Sequence, residues 1–267
     1  MSAASVIISI YNRLDNLELI LNALEKQTVK SFEVIVSEDN DSPITAEFIN
    51  KVRERFSFTI KHISQEDIGF RKTMALNKAV VASEYDYLIF LDGDCVPHEK
   101  LVETYFKYLT PDTICLGRRC YLDKSLTDRL YKTKDMKVLS VLNLLLHTKR
   151  RKRAFYIPPS IKKPNVCKKI RRIIGCNWAI HKQNILDING YDEDYTYAAV
   201  GEDIDIDWRL RLLNDRIIFL NVKYQAITYH LYHPKNYSGD DVNKSRAMKD
   251  EKMKAGNYVC KNGIRKL

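Results

Sequence analysis

The sequence lacks any long apolar run. No stretch of its 267 residues approaches the roughly 18–20 consecutive apolar side chains that a membrane-spanning helix needs. The N-terminus enters the strand-like run Ser5–Ile10 without the basic region and cleavage site of a signal peptide. We therefore expect a cytoplasmic protein without a transmembrane segment.

Cysteine spacing and overall composition exclude several other classes. The six cysteines form no Cys-x-x-Cys pair and no His/Cys cluster of zinc-finger spacing, so we expect reduced thiols and neither disulfides nor structural zinc. With 45% hydrophobic and 29% charged residues, the chain has the composition of a folded globular protein. Its length allows a full hydrophobic core.

Acidic residues are missing from one long segment. Between Met136 and Leu186 there is no Asp or Glu but there are thirteen Lys and Arg, which account for the net charge of +10. The segment predicts a short apolar helix, Lys137–His147, followed by the basic runs Lys149–Arg153 and Lys168–Arg172. This pattern fits a peripheral element on the anionic inner face of a membrane. It fits equally a core helix followed by a solvated loop.

Strand-like and helix-like patterns alternate in the first part of the chain. Repeated β-α-β units predict an α/β fold, with a mainly parallel, Rossmann-like sheet and helices on both faces. Ligands bind such sheets at the carboxyl ends of the strands. The predicted strands are Val6–Ile10, Phe32–Val36, Phe58–Ile63 and Tyr87–Leu91. The predicted helices are Leu14–Lys26, Thr45–Phe56 and Arg71–Val81.

Polar clusters follow three of these strands. They are Tyr11-Asn12-Arg13, Glu38-Asp39-Asn40-Asp41 and Asp92-Gly93-Asp94, and we expect them to meet at one sheet edge. The two aspartates of the last cluster repel each other, and a hard divalent cation such as Mg²⁺ or Mn²⁺ would relieve that repulsion. The alternative is an ordinary Asp-Gly-Asp surface turn. Because the cluster ends a buried strand, we favour metal binding.

Acids and histidines mark the second half of the chain. Glu202 and Asp203 open a predicted helix, Ile204–Leu213, where helix capping and the helix dipole also explain acidic residues. His230 and His233 follow the last predicted strand, as metal ligands or as a polar strand end. The paired aspartates upstream favour the ligand role.

Taken in order, these motifs resemble the family 2 glycosyltransferases with the GT-A fold. The Gly-Phe-Arg and His-x-x-His segments are similar to those of chondroitin-type, capsular and lipopolysaccharide transferases with a galactosyltransferase-like C-terminal half. The resemblance covers roughly Ser5 to Pro234 and rests on Val6–Arg13, Phe32–Asp39, Gly69-Phe70-Arg71, Asn77, Tyr87–Asp94, Gly175–Trp178, Asn189–Glu193, Glu202-Asp203 and His230–His233.

The resemblance implies a metal-dependent, inverting glycosyltransferase. It would move a hexose or N-acetylhexosamine from a UDP-sugar to a hydroxyl of a glycan or lipid-linked glycan, in surface polysaccharide or lipopolysaccharide assembly, without a nucleic-acid partner. Mn²⁺ or Mg²⁺ would be the cofactor, held by Asp94, by one of His230 and His233 and in some measure by Asp92.

The resemblance also implies roles for other residues. Asp203 would be the general base, and Glu202 would orient it or bind the acceptor. The remaining acceptor contacts would be Asn177, Trp178 and Asp192. Contacts to the donor would come from Tyr11, Asn12, Arg13, Glu38, Asp39, Arg71, Asn77, Asp92 and Gly93.

The chain departs from the family pattern at three places. Ser9 replaces the usual proline of the first strand, and Glu38-Asp39-Asn40-Asp41 replaces the usual pair of aspartates with glycine and serine. Ala198–Gly201 stands where related enzymes often carry Gly-Trp-Gly, so the acceptor stays open. The resemblance divides the chain into a nucleotide-sugar half, a basic and apolar insertion, an acceptor and catalytic half, and a tail, at residues 1–115, 116–172, 173–236 and 237–267.

Two other functions compete with this reading. A nucleotidyltransferase would also use paired aspartates, but among only nine glycines there is no glycine-rich phosphate loop. A basic nucleic-acid-binding protein would leave the clustered acids unexplained, and few aromatic residues accompany the basic segment.

Overall fold

The computed structural model describes residues 3–148, 154–167, 173–197, 201–234 and 239–266. Three features of the sequence lie outside these ranges: the basic runs Lys149–Arg153 and Lys168–Arg172, and residues Ala198–Val200 of the segment that departs from the family pattern.

The core of the fold is an eight-stranded sheet with the order β3-β2-β1-β4-β9-β6-β10-β8. Strands β1 to β4 run parallel, as do β6 and β10, whereas β9 is antiparallel to both of its neighbours. The predicted α/β fold with a mainly parallel sheet is therefore confirmed. The bounds are β1 Ala4–Ile10, β2 Phe32–Glu38, β3 Ile60–Ile63, β4 Tyr87–Asp92, β6 Thr113–Leu116, β8 Asn165–Val166, β9 Asn177–His181 and β10 Ile218–Asn221.

A second, three-stranded sheet has the order β5-β11-β7, with bounds Cys95–Pro97, Ile227–His230 and Arg118–Tyr121. Strand β11 pairs antiparallel with β5, and His230 lies opposite Cys95 in this register. Since β5 begins three residues after the end of β4, the pairing brings the end of β11 to the carboxyl edge of the large sheet. The predicted nucleotide-sugar half (residues 1–115) and the predicted acceptor half (residues 173–236) thus both contribute strands to each of the two sheets.

Apolar residues on both faces of the large sheet explain its position in the core. Side chains alternate along a strand, so Val6 and Ile8 join one buried cluster while Ile7 joins the other. The strands are buried on both sides because helices cover both faces. Within the described ranges, no helix is both long and apolar enough to cross a bilayer. The helices are α1 Leu14–Glu25, α2 Pro43–Val52, α3 Lys72–Ala82, α4 Leu101–Tyr108, α5 Lys124–Thr133, α6 Val141–His147, α7 Lys182–Asp187, α8 Glu202–Leu213 and α9 Gly239–Ala255.

The apolar helix expected over Lys137–His147 is broken into two pieces. Residues Met136–Leu139 form a 3₁₀ turn, and α6 begins only at Val141. Ser140 separates the two, because it adopts an extended backbone conformation and its side chain accepts a hydrogen bond from the Asn143 amide. It is therefore the N-cap of α6.

The C-terminal tail, from residue 237 onwards, includes α9 and packs against the fold. The side-chain amide of Asn189, which is buried, donates to the carbonyl oxygens of Cys260 and Arg265. Gly263 approaches so closely that a Cβ there would lie 1.9 Å from the Asn189 carbonyl oxygen. The segment thus closes over the loop that follows α7.

Trp178 of β9 is fully buried and stacks on Phe90 of β4, with ring centroids 4.7 Å apart. We expect Trp178→Ala to lower the free energy of unfolding by about 3–5 kcal/mol, because it leaves a cavity between adjacent strands. Val81→Ala, on an exposed side chain of α3, should change it by less than about 0.5 kcal/mol. Urea denaturation of both variants measures the difference. Equal losses would contradict the assignment of Trp178 to the core.

Candidate functional site

A cleft of about 820 Å³ lies at the carboxyl edge of the large sheet. The ends of β1, β2 and β4 form one wall, and the segment after β11 faces them. The cleft therefore brings together residues from all three polar clusters and from the histidine segment. Its lining includes Tyr11, Asn12, Arg13, Asp39, Gly69, Phe70, Lys72, Asp92, Gly93, Asp94, Tyr131, Tyr232 and His233.

The turn after β4 depends on Gly93. Its amide donates a 2.7 Å hydrogen bond to the carbonyl oxygen of Ser9 at the end of β1. A Cβ at position 93 would lie 2.7 Å from that same oxygen and 3.0 Å from Ile10 Cγ2, so only glycine fits. This close approach ties the two strand ends together and turns Asp94 towards the second sheet.

Asp94 lies between two histidines. Its Oδ2 atom is 3.2 Å from His230 Nε2 and 3.0 Å from His233 Nε2, and its Oδ1 accepts a 3.1 Å hydrogen bond from Cys95 Sγ. Burial disfavours the charged carboxylate, but hydrogen bonds from His230 and His233 outweigh burial and hold the pKa of Asp94 well below its usual range. The same contact with Asp94 raises the pKa of His233.

These side chains fit a divalent cation. Ligand atoms of Asp94, Cys95 and His230 lie within 4.8 Å of one another, and His233 contacts the same carboxylate. A carboxylate oxygen and imidazole nitrogens are suitable ligands for first-row metal ions. The predicted ligands Asp94, His230 and His233 are thus close together, and Asp92 faces a different partner.

Asp92 pairs with Lys72, which is the first residue of α3 and which the sequence interpretation missed. Lys72 Nζ is 2.8 Å from Asp92 Oδ1 and 3.6 Å from Glu202 Oε1 at the start of α8. The Lys72 ammonium group therefore links Asp92, the last residue of β4, to Glu202 in the second half of the chain. Two features of the sequence could have identified Lys72. It follows Arg71, in a segment that the resemblance assigns to the donor, and the acids Asp92, Glu202 and Asp203 need a positive charge nearby.

Asp203 is held by the backbone of the segment before β9. Its Oδ2 accepts a 3.0 Å hydrogen bond from the Gly175 amide, and a Cβ at position 175 would lie 2.3 Å from its Oδ1. Burial and the charge of Glu202 raise the pKa of Asp203 to about 7, while Lys72 acts in the opposite direction. A carboxyl group with a pKa near neutrality is suited to proton transfer.

Asp39 is a second fixed carboxylate, and it lines the cleft. Asp39 accepts hydrogen bonds of 2.7 Å from the Arg71 amide and 2.7 Å from Gln65 Nε2. Burial raises its pKa above the ordinary aspartate value. Asn12 adopts a left-handed backbone conformation with φ of 51° beside it, and the Tyr11 hydroxyl donates to Asp67.

Two of the expected donor contacts need correction, because both side chains are buried among protein partners. Glu38 is fully buried and accepts hydrogen bonds from Thr45 and from His62 of β3, because its side chain points to the opposite side of the strand from Asp39. Asn77 is buried in α3, where it bonds both backbone polar groups of Tyr191.

Arg71 reaches Asp39 through its backbone amide. Its side chain is partly exposed and its positive charge opposes the rise in the pKa of Asp39, so the donor contact expected at Arg71 stays a prediction.

The acceptor contacts expected at Asn177, Trp178 and Asp192 also need correction, because all three side chains are buried. The Asn177 amide donates to the carbonyl oxygens of Arg118 and Ala226, at the junction of the two sheets. Asp192 pairs with Lys252 of α9 at 2.6 Å. These residues hold the fold together, and of the predicted acceptor group only Glu202 remains partly exposed, next to Lys72.

The metal-compatible carboxylate and the fixed acid pair lie at the carboxyl edge of the sheet, which is where open α/β sheets bind their ligands. The model of the family "Glycosyl transferase family 2" matches residues 5–187. The chain therefore belongs to family 2 of the glycosyltransferases, and its fold is GT-A.

Curated relatives include much longer proteins. The chain is 25% identical over 266 residues to a chondroitin synthase of Pasteurella multocida, which covers 94% of this chain and 27% of that protein. A chondroitin synthase of Escherichia coli is 30% identical over 124 residues, 45% of this chain and 18% of that protein. A poly-β-1,6-N-acetyl-D-glucosamine synthase of Staphylococcus aureus is 24% identical over 221 residues, 81% of this chain and 48% of that protein.

Solved structures share the fold. S. aureus TarS residues 1–349 in complex with UDP-GlcNAc superimposes with a TM-score of 0.62 at 16% identity, covering 94% of this chain and 66% of that one. The mannosyltransferase PcManGT of Pyrobaculum calidifontis, in complex with GDP-Man and Mn²⁺, gives a TM-score of 0.62 at 14% identity, covering 94% and 64%.

We expect Lys72→Met to raise the pKa of Asp203 above its value of about 7, because the variant removes the cation that opposes burial and the charge of Glu202. A titration of the Asp203 carboxyl carbon by ¹³C NMR measures the shift. Lys78→Met is the matched control, since Lys78 is an exposed lysine of the same helix. An unchanged or lowered pKa in Lys72→Met would contradict the proposed link between Lys72 and Asp203.

Proposed function

We propose that this protein transfers a hexose or N-acetylhexosamine from a UDP-sugar to a glycan hydroxyl, with a divalent cation and with inversion at the anomeric carbon. The observation that carries the proposal is Asp94 between His230 and His233, in a cleft that Asp39 also lines. A cation site and a site that can recognise a base in one cleft suit a nucleoside diphosphate.

The donor occupies the cleft. Asp39 accepts a hydrogen bond from the nucleobase. Hydrogen bonds from the Arg71 amide and from Gln65 already hold its carboxylate in place for this contact. Tyr11, Asn12 and Gly93 line the space between the base and the phosphates, and Arg13 offers positive charge to them. A UDP-sugar is supported by the TarS complex with UDP-GlcNAc, whereas PcManGT binds GDP-Man on the same fold.

The diphosphate end of the donor requires a cation. Asp94 with His230 or His233 would hold Mn²⁺ or Mg²⁺, which supplies Lewis-acid stabilisation of the leaving diphosphate. Asp92, fixed by Lys72, stands beside these ligands and is available to the ribose or to the cation. Lys72 keeps the Asp92 carboxylate and the Glu202 carboxylate in position despite their like charge.

Asp203 is the general base. It accepts the proton of the acceptor hydroxyl as that oxygen attacks the anomeric carbon from the side opposite the diphosphate, which inverts the configuration. A pKa of about 7 matches this task, because the group is largely ionised just above neutrality and still basic enough to accept a proton. Glu202 binds the acceptor or orients Asp203.

The acceptor is a glycan hydroxyl, free or lipid-linked, of a surface polysaccharide or lipopolysaccharide. The names of the relatives support polysaccharide synthesis as the setting, since they are a chondroitin synthase and a poly-N-acetylglucosamine synthase. The chain spans about a quarter of the former and about half of the latter, so its own acceptor is a proposal.

We expect Asp203→Asn to lower kcat for transfer by about 10²–10⁴-fold, because the amide keeps the hydrogen bond from Gly175 but cannot accept a proton. Binding of UDP should be unchanged. The assay offers UDP-glucose, UDP-galactose and their N-acetylated forms with oligosaccharide and lipid-linked acceptors, and NMR of the product reads the anomeric configuration.

Asp215→Asn is the control, because Asp215 is exposed and lies beyond the end of α8. Full transfer activity in folded Asp203→Asn would refute the role of Asp203. A product with retained configuration would refute the inverting mechanism.

A further inference from the structure

Helix α6 presents a row of large apolar side chains to solvent. Val141 is 65% exposed, Leu142 65%, Leu145 39% and Leu146 61%. At about 100° per residue, these four positions span an arc of roughly 140° on one side of the helix. A continuous apolar strip of this kind on a protein surface marks a site of contact with something else.

The other side of α6 is fixed to the protein. Leu144 is buried in the core, and His147 Nδ1 lies 2.8 Å from Asp123 Oδ2 at the start of α5. Asn143 accepts a hydrogen bond from Arg129 of α5 and donates to the carbonyl oxygen of Val138. The exposed apolar strip is therefore presented by a helix that is anchored on its opposite side.

The charge around the strip identifies its occupant. No Asp or Glu occurs from Met136 to Leu186, and the sequence continues from α6 directly into Lys149–Arg153. Among the described residues, charges of both signs are exposed on the elements that lead into α6, with Lys132 and Lys137 beside Asp128 and Asp135. The excess of positive charge comes from Lys149–Arg153, which follows α6 in the sequence. Apolar side chains next to an excess of positive charge are complementary to an anionic lipid surface, where headgroups meet acyl chains.

We propose that α6 docks this protein onto an anionic membrane surface, with Val141, Leu142, Leu145 and Leu146 inserted at the headgroup boundary. The helix has seven residues, so it lies in the interface and does not cross the bilayer. Each basic residue near the surface adds electrostatic attraction that salt weakens.

The docking helix is one element away from the cleft. Helix α5, which anchors α6, contributes Tyr131 to the cleft lining, and Thr127 of α5 accepts a hydrogen bond from the amide of Tyr232. Docking therefore holds the cleft close to the lipid surface. A cleft close to the lipid surface favours lipid-linked acceptors over free ones, and this consequence rests on the proposed function.

Sedimentation with vesicles tests the docking. Wild-type protein should sediment with vesicles of phosphatidylcholine and phosphatidylglycerol in equal parts, less so in high salt, and should stay in solution with pure phosphatidylcholine. Leu142→Gln/Leu146→Gln should weaken binding to the anionic vesicles about tenfold or more, because two inserted leucines lose their burial.

The matched control is Ile44→Gln/Leu212→Gln, which changes two exposed apolar side chains on α2 and α8. It should bind vesicles as the wild type does. Circular dichroism melting of both double variants establishes that they are folded, and no sugar substrate is needed, so the result is independent of transferase activity.

Three outcomes would overturn the proposal. One is wild-type protein that does not bind anionic vesicles. Another is a folded Leu142→Gln/Leu146→Gln variant that binds them as tightly as the wild type. The third is an oligomer in sedimentation velocity that the double variant dissociates, because α6 would then be covered by a second copy of the chain.

Discussion

The contact of Asp94 with two histidines is the constraint on which the site depends. It joins the turn after β4 to the end of β11, and it exists because Gly93 packs against the Ser9 carbonyl while β11 pairs with β5. Each histidine brings polar nitrogen to a carboxylate that burial would otherwise tend to neutralise. Without the second sheet, the aspartate would have no partners from the second half of the chain, and a cation would have only carboxylate ligands.

Lys72 forms the corresponding link on the other side of the turn. It pairs with both Asp92, two residues before Asp94, and Glu202, the first residue of α8. These two acids therefore share one positive charge. Burial and the neighbouring Glu202 carboxylate raise the pKa of Asp203 to about 7, although Lys72 acts in the opposite direction. The two aspartates of the Asp-Gly-Asp turn thus face different partners, because the glycine between them redirects the chain. In the proposed reaction, Asp94 serves donor binding and Asp203 serves proton transfer, so different acids carry the two roles.

Much of the fold could be predicted from the sequence, because apolar periodicity and strand-end polar clusters are local signals. The convergence of Asp39 and Asp94 on one cleft also followed from the rule that parallel strands end at one edge. His233 reaches the same cleft through the second sheet, which that rule does not cover. The burial of individual polar side chains could not be predicted from these local signals. The family resemblance implied ligand contacts at Asn77, Asn177 and Asp192, but each side chain bonds to backbone or lysine partners far away in sequence. Lys72 was missed for the same reason, since both of its acidic partners are distant along the chain.

The most direct test of a metal-dependent nucleotide site at Asp94 is calorimetric binding of UDP in the presence of Mn²⁺ and then of EDTA. The wild-type protein should bind UDP with Mn²⁺ and lose that binding with EDTA, and Asp94→Asn should not bind in either condition. The exposed Asp112→Asn variant should behave as the wild type does. UDP binding that survives EDTA and persists in Asp94→Asn would contradict the account, as would tight binding of an oligonucleotide without metal-dependent binding of UDP.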